Sequence, residues 1–432
     1  VSHSLTADRY SLIAIRWLHM ASAPKAVAID ILRKLRAAGH QALLAGGCVR
    51  DMLLGIRPGD YDVATSATPR QVRRLFGHVL LVGAKFGVAM VIVDRQKVEV
   101  TTFRAEDSYS DGRRPDSIRL ASPREDALRR DFTINGMFYD PLERKVIDYV
   151  AGQEDLRRRI IRTIGPPDER FSEDYLRMMR AVRFAVRLGF RMEPATAAAV
   201  AEHSPKIAMI SGERVFDELT RMLVRPSAGA AVAKLDELRL ARHIVPELFA
   251  GDEGRWQRAA ALVAALAPRR DATLNFAALL CELPPADIEK ITRRWGASNE
   301  FRRTLLLLAT NADGWQRAAG ATAMSLAELK RLMAWPQWRR LLALWRARER
   351  LATGRTAASR RIALRAGAID PARVAPAPLV TGDELKQHLG MKQGAAMGDI
   401  LRRLYEAQLN EQIATLDDAL AMARSLAAAQ GL

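Results

Sequence analysis

Two short stretches gather residue types suited to chemistry on phosphates: Gly46-Gly47-Cys48-Val49-Arg50-Asp51, then Asp60-Tyr61-Asp62. Strand periodicity is two, so in a strand over 60–64 Asp60 and Asp62 leave one face while Tyr61 and Val63 leave the other. Two carboxylates side by side repel, and one takes up a proton unless a cation sits between them. An all-oxygen pair suits a hard divalent ion, Mg²⁺ first among them. Glycines lack the Cβ that would keep backbone N–H groups from phosphate oxygens. The strand-turn-helix context puts Gly46 and Gly47 at the start of a short helix, with Arg50 as a fork donor toward a triphosphate. Walker A and the dinucleotide fingerprint do not fit, since the first ends in Gly-Lys-Ser/Thr and the second needs three spaced glycines. The competing reading is a surface turn beside solvated acids. Glu99 is a candidate third acid if its strand lies beside that of Asp60; otherwise it is an edge charge that discourages aggregation.

Downstream, Arg129-Arg130-Asp131-Phe132-Thr133-Ile134-Asn135 sets two arginines, an acid and an amide against an apolar segment. Arginine forks suit phosphates, and Asn135 could bond a sugar or brace the backbone; a charged helix start is the plain alternative. In the helix expected over 174–188, Asp174, Arg177 and Arg180 lie three apart and share a broad face. A carboxylate acceptor beside a guanidinium donor matches the edge of cytosine or adenine, where an exocyclic amine adjoins an unprotonated ring nitrogen. Uracil and guanine present the reverse order. Each good pair is worth about 1–3 kcal/mol of discrimination. An intrahelical salt-bridge ladder is the competing explanation.

These residues need a scaffold, and the pattern supplies one. The region from about 23 to 149 mixes periods. A helix is expected over 26–38, strands over 41–45, 60–64, 79–82, 88–93 and 97–103, and a helix opened by Thr68-Pro69-Arg70-Gln71 as a capping box. That makes one mixed sheet with few helices, too few βα repeats for a doubly wound fold. Periodicity vanishes over 106–126, longer than most compact connections. From about 151 onward the pattern is helical, broken by a proline-rich linker over 369–379. The expected class is therefore α+β: a small mixed-sheet unit followed by an all-helical remainder.

The 432 residues include 67 Lys+Arg against 49 Asp+Glu, a formal charge of +18. Arginine bias alone can reflect genome composition, but so large a net charge favours a polyanionic partner such as nucleic acid. Two distant cysteines, Cys48 and Cys281, match no zinc spacing and exclude a disulfide scaffold. No apolar run is long enough to span a bilayer, and charges interrupt the first thirty residues, so no membrane partner and a cytoplasmic location are expected. Seven histidines are scattered without adjoining acids, which argues against a His/Asp phosphohydrolase. A non-enzymatic RNA-binding protein would explain the charge but not paired acids beside a glycine turn.

The strings GGCVRDMLLG (46–55), DYDVATSATP (60–69), RRDFTINGMFYDP (129–141) and SEDYLRMMRAVRFAVRLGF (172–190) resemble class II CCA-adding enzymes and the closely similar bacterial poly(A) polymerases. The resemblance covers roughly 25–220. It implies a nucleotidyltransferase head followed by an elongated helical neck, body and tail, with an N-terminal extension at 1–24, head at 25–150, neck at 151–215, body at 216–370 and tail at 371–432. It implies that Asp60 and Asp62 bind two Mg²⁺ ions and that Gly46, Gly47 and Arg50 hold the triphosphate. Asp131, Asp174 and Arg177 would lie around the incoming CTP or ATP, Arg130 and Arg180 also match family positions, Asn135 joins them as a nucleotide-binding candidate on the reading above, and the 106–126 segment would be the element that helps switch from C to A. The partner would be the 3′ end and acceptor stem of tRNA, gripped by the helical portion. CCA addition, A-only addition and poly(A) addition share this head.

Overall fold

The computed structural model describes residues 23–81, 87–106, 118–252, 254–318 and 324–429. The chain divides into two compact units, Val1–Met222 with Ala230–Pro246, and Leu223–Gly229 with Glu247–Leu432.

The first unit is built on a seven-stranded mixed sheet. With β1 (Ala42–Ala45), β2 (Asp62–Thr65), β3 (Val79–Leu80), β4 (Val88–Val93), β5 (Gln96–Thr102), β6 (Arg104–Glu106), β7 (Ile118–Leu120), β8 (Phe138–Asp140) and β9 (Lys145–Ile147), the sheet order is β3-β4-β5-β2-β1-β8-β9. Within it only β2 and β5 pair in parallel. Helix α1 (Ala23–Ala37) covers the centre with Ile31, Leu32 and Leu35, all buried, because its apolar residues recur at helical spacing. On the opposite face Leu43, Ala45, Ala64, Phe103, Ala127 and Phe138 form a second core cluster.

Several expected boundaries move. The strand read over 60–64 begins at Asp62, so Asp60 and Tyr61 belong to the connection before it. Tyr61 is still buried and Asp60 exposed, so the alternation continues past the last ladder bond. The link between β4 and β5 is tighter than expected: Asp94 and Arg95 both take positive φ (48° and 62°), as a two-residue hairpin requires, and Gln96 already belongs to β5. The segment read as unpatterned over 106–126 is partly regular. β6 and β7 pair antiparallel, and Ser122 opens the helix Pro123–Leu128 through a reciprocal cap with Glu125. Strands of three residues are too short to carry a period, which is why the sequence shows no pattern there. Residues 107–117 lie outside the described residues.

The helices that position the site are α2 (Gly47–Leu53), α3 (Pro69–Leu75), α4 (Pro123–Leu128), α5 (Gly152–Arg158), α6 (Pro167–Glu173), α7 (Leu176–Leu188), α8 (Pro194–His203) and α9 (Gly212–Leu223). α3 carries the expected capping box, with Thr68 and Gln71 bonding reciprocally.

The second unit is helical. Trp345, fully buried on the helix Trp338–Thr353, donates from Nε1 to the Asn311 carbonyl at 2.6 Å, and a Cβ on Gly314 would come within 2.4 Å of its ring. The last three helices, Gly382–Leu389, Ala395–Leu409 and Leu416–Ala429, share their own apolar cluster around Leu385, Ile400 and Ala423. Lys330, buried on Leu326–Met333, reaches Glu411 at 2.9 Å. No helix among the described residues is long and apolar enough to cross a membrane.

Candidate active site

Asp62 opens β2 directly across from Ala45, and Ala45 in turn pairs with Phe138 on β8. The residue after Ala45 is Gly46, which caps α2 with φ 71° and no side chain. A Cβ there would fall within 2.9 Å of Arg130 Nη1, so glycine is demanded both by the backbone and by the arginine lying across the turn. Arg130 also lies over the Phe138 ring, 5.1 Å from its centroid. Asp62, the glycine turn and Arg130 thus meet at the end of the central strands of the sheet.

Electrostatics distinguish this place. Asp62 is half-buried, and its carboxyl is pushed up from its ordinary 3.8 to about 7, first by burial, then by the charges of Glu99 and Asp60, with Arg130 opposing. β5 does lie beside β2, with Val63 paired to Val100, so Glu99 stands one residue before that pair, the adjacency on which its candidacy as a third acid depends. Glu99 is exposed and accepts a hydrogen bond from Thr101. Among the described residues no three His, Cys, Asp or Glu side chains converge into a metal-holding group. The donor set nevertheless fits a hard cation: all oxygen, excess negative charge, and one carboxyl that a nearby cation would return to its ionised form.

Arg50 does not stand out as a free fork. It is buried, donating from Nε and Nη2 to Asp51 Oδ1 (2.8 and 2.6 Å) and from Nη1 to Asn135 Oδ1 (2.6 Å). Asn135, likewise buried, donates from Nδ2 to Asp131 Oδ1 at 3.2 Å. Asp131 Oδ2 accepts from Arg180 Nε and Nη2 at 2.8 and 2.5 Å. Burial alone would raise the Asp131 carboxyl, but the Arg180 guanidinium and the Asn135 amide hold it below its usual range. The stretch that includes Arg129 and Arg130 is not a helix start. It follows α4, whose buried Asp126 takes both arginines, before a short turn at Thr133–Asn135.

The expected helix over 174–188 begins only at Leu176. Asp174 is extended backbone (φ −156°, ψ 102°) between α6 and α7, so it does not share a helical face with Arg177 and Arg180. Its carboxylate accepts from Leu176 N (3.1 Å) and is gripped by both ends of the Arg214 fork, at 3.1 and 2.7 Å. Arg177 pairs with Glu173 and donates to the Arg170 and Arg129 carbonyls. The intrahelical ladder through Asp174, Arg177 and Arg180 therefore does not form.

Several members of this network were not singled out from the sequence. Arg183, which donates to Glu218 at 2.6 Å, continues the three-residue spacing of Arg177 and Arg180 and could have been found from it. Asp51 adjoins Arg50, but nothing local shows that it also takes Arg187; Arg214 and Glu218 sit on α9, far along the chain.

Sheet, glycine turn and acidic pair together define a nucleotidyltransferase head. Accordingly, residues 42–162 match the poly A polymerase head domain, and residues 189–251 match the probable RNA and SrmB-binding site of polymerase A. The CCA-adding enzyme of Geobacillus thermodenitrificans (strain NG80-2) is 40% identical over 311 residues, covering 71% of this chain and 76% of that protein. That of Geobacillus kaustophilus (strain HTA426) is 41% identical over 276 residues, covering 63% of this chain and 67% of that one. The crystal structure of Bacillus stearothermophilus CCA-adding enzyme in complex with CTP superposes with a TM-score of 0.77 at 29% identity, covering 95% of this chain and all (100%) of that chain. The chain belongs to the family of CCA-adding enzymes and is a tRNA nucleotidyltransferase whose family points to a divalent metal.

Proposed function

We propose that this protein completes the 3′ end of tRNA by adding CMP and AMP from CTP and ATP, releasing pyrophosphate, without a template. The observation that carries the reading is the meeting of Asp62, the Gly46 turn and Arg130 at the end of the central strands, in a chain whose relatives are CCA-adding enzymes over most of their length. The terminal ribose hydroxyl attacks the α-phosphorus; a P–O bond forms there, the bond to the β-phosphate oxygen breaks, and pyrophosphate leaves. No protein nucleophile is needed.

Asp60 and Asp62 would hold Mg²⁺, with Glu99 contributing negative charge from the next strand. Magnesium, when bound, supplies charge neutralisation on the triphosphate and a lowered pKa for the attacking hydroxyl. Gly46 and Gly47 leave room for phosphate oxygens at the turn, and Arg130 lies across it as the nearest cation. Arg50 acts from behind: with Asp51, Asn135 and Asp131 it braces the turn against α7. Base choice falls to Asp174 and Arg177, with Arg180 beside them. The Arg214 fork and the Leu176 N–H leave a lone pair on Asp174 Oδ2 to accept from the exocyclic amine of C or A. The head at 25–150, neck at 151–215, body at 216–370 and tail at 371–432 are the working division, with an extension at 1–24 and the helical portion gripping the acceptor stem through phosphates and minor-groove shape. The cytoplasm, where tRNA and nucleoside triphosphates are available, is the compartment that fits.

The test is incorporation of each NTP into tRNA lacking its last one, two or three nucleotides, with product lengths resolved. Two C additions followed by one A and a stop are expected. Long A tails from ATP alone would favour poly(A) addition, and a single A only on tRNA ending in CC would mark an A-adding enzyme.

A further inference from the structure

The ring of Phe184 lies where three guanidiniums converge. Its centroid is 4.3 Å from Arg183 Cζ, 5.2 Å from Arg50 Cζ and 5.5 Å from Arg180 Cζ. Arg180 and Arg183 come from its own helix, whereas Arg50 comes from the helix after the glycine turn. The ring is buried, and its orientation is fixed by Phe132, fully buried and edge-on at 5.7 Å. Three like charges around one point repel. Here each has a carboxylate outside the ring, Asp51 for Arg50, Asp131 for Arg180 and Glu218 for Arg183, while the aromatic quadrupole fills the space between them. Leucine or methionine would satisfy the hydrophobic pattern of α7 at this position, but neither carries a negative face.

We propose that Phe184 is a positioning residue for the nucleotide: its ring holds the guanidiniums of Arg50, Arg180 and Arg183 in register and so ties the phosphate side of the pocket to the base-side helix. This rests on the nucleotide-transfer reading above. Because the ring acts on arginines that brace or line the pocket rather than on a base or the reacting atoms, weakening it loosens CTP and ATP alike and leaves the chemical step nearly unchanged.

Fluorination withdraws charge from the ring face while barely changing its shape. Replacing Phe184 with mono-, di- and trifluorophenylalanine in the full chain is expected to raise KM for both CTP and ATP, by about two- to threefold per step, with kcat within about twofold. Melting temperature is followed in parallel, and Phe184→Leu is carried as the variant that keeps an apolar side chain without the quadrupole. A KM that stays flat across the fluorinated series, or rises only in variants that melt early, would overturn the proposal. So would a Leu variant that loses stability but keeps the parent KM. Absence of incorporation by the unsubstituted chain would instead remove the functional reading on which the proposal stands.

Discussion

At the acidic end of β2, Asp60, Asp62 and Glu99 have no salt-bridge partner among the described residues, and burial with mutual repulsion drives Asp62 up to about 7. Along α7 the opposite holds: Arg177, Arg180, Arg183 and Arg187 are met by Glu173, Asp131, Glu218 and Asp51. One region carries charge that no salt bridge among the described residues balances; the other is neutralised internally before any ligand arrives. An unbalanced cluster costs stability and is retained where an external ion completes it. A balanced one fixes side chains in place, which suits the selection of a base by hydrogen-bond order.

The largest effect expected from breaking this contrast is at the acids. Asp60→Ala or Asp62→Ala should lower nucleotide addition by on the order of 10³-fold or more while RNA binding, read by gel shift, is kept. Comparable activity in either purified variant would remove the assignment. Next comes the balanced region. Asp174→Asn keeps the volume but replaces one acceptor by a donor, and Arg214→Met frees the carboxylate that it grips. Each should raise misuse of UTP or GTP relative to CTP and ATP by about tenfold, consistent with about 1–3 kcal/mol per base contact. Unchanged discrimination would return these residues to a purely structural role. Arg177→Ala is a poorer probe, because that buried side chain also anchors Glu173 and two carbonyls, so stability should fall along with selectivity. Glu99→Gln should cost about tenfold in kcat if its charge helps hold the cation, and little if it serves only the sheet.

The smallest effect is thermodynamic. Asp62 has a higher pKa folded than unfolded, so the folded chain keeps a proton that the unfolded chain releases. That advantage is complete below about 4, shrinks as pH rises, and is lost above about 7. Asp62→Asn should therefore gain on the parent chain between pH 5 and 8 without divalent ions, by about a few degrees in melting temperature. Added Mg²⁺ should stabilise the parent chain but not the variant. A pH-independent difference would mean that Asp62 is not strained.

Chemistry was more legible in the sequence than geometry was. The glycine turn and the Asp-x-Asp pair are contiguous, so period and residue type alone placed them on adjacent elements, and the parallel neighbour of β2 turned out to carry Glu99. Asp174 was put on a helix because apolar spacing continues through it; that spacing cannot reveal that its carboxylate caps the next turn and closes on Arg214, forty residues away. Arg50 read as a phosphate donor because its burial depends on Asn135 and Phe184 arriving from two distant segments, with only Asp51 beside it in sequence. Long-range charge partners leave no local trace.

Cys48 occupies the second position of α2, one residue past the glycines, yet its thiol is fully buried, donates to the Ala45 carbonyl at 3.2 Å and is pushed up to about 12, first by burial and then by Asp62. At neutral pH the thiol there stays protonated. Alkylating reagents and mild oxidants should therefore pass this pocket by, and a covalent inhibitor aimed at sulfur would find a cysteine in the right place but in the wrong protonation state.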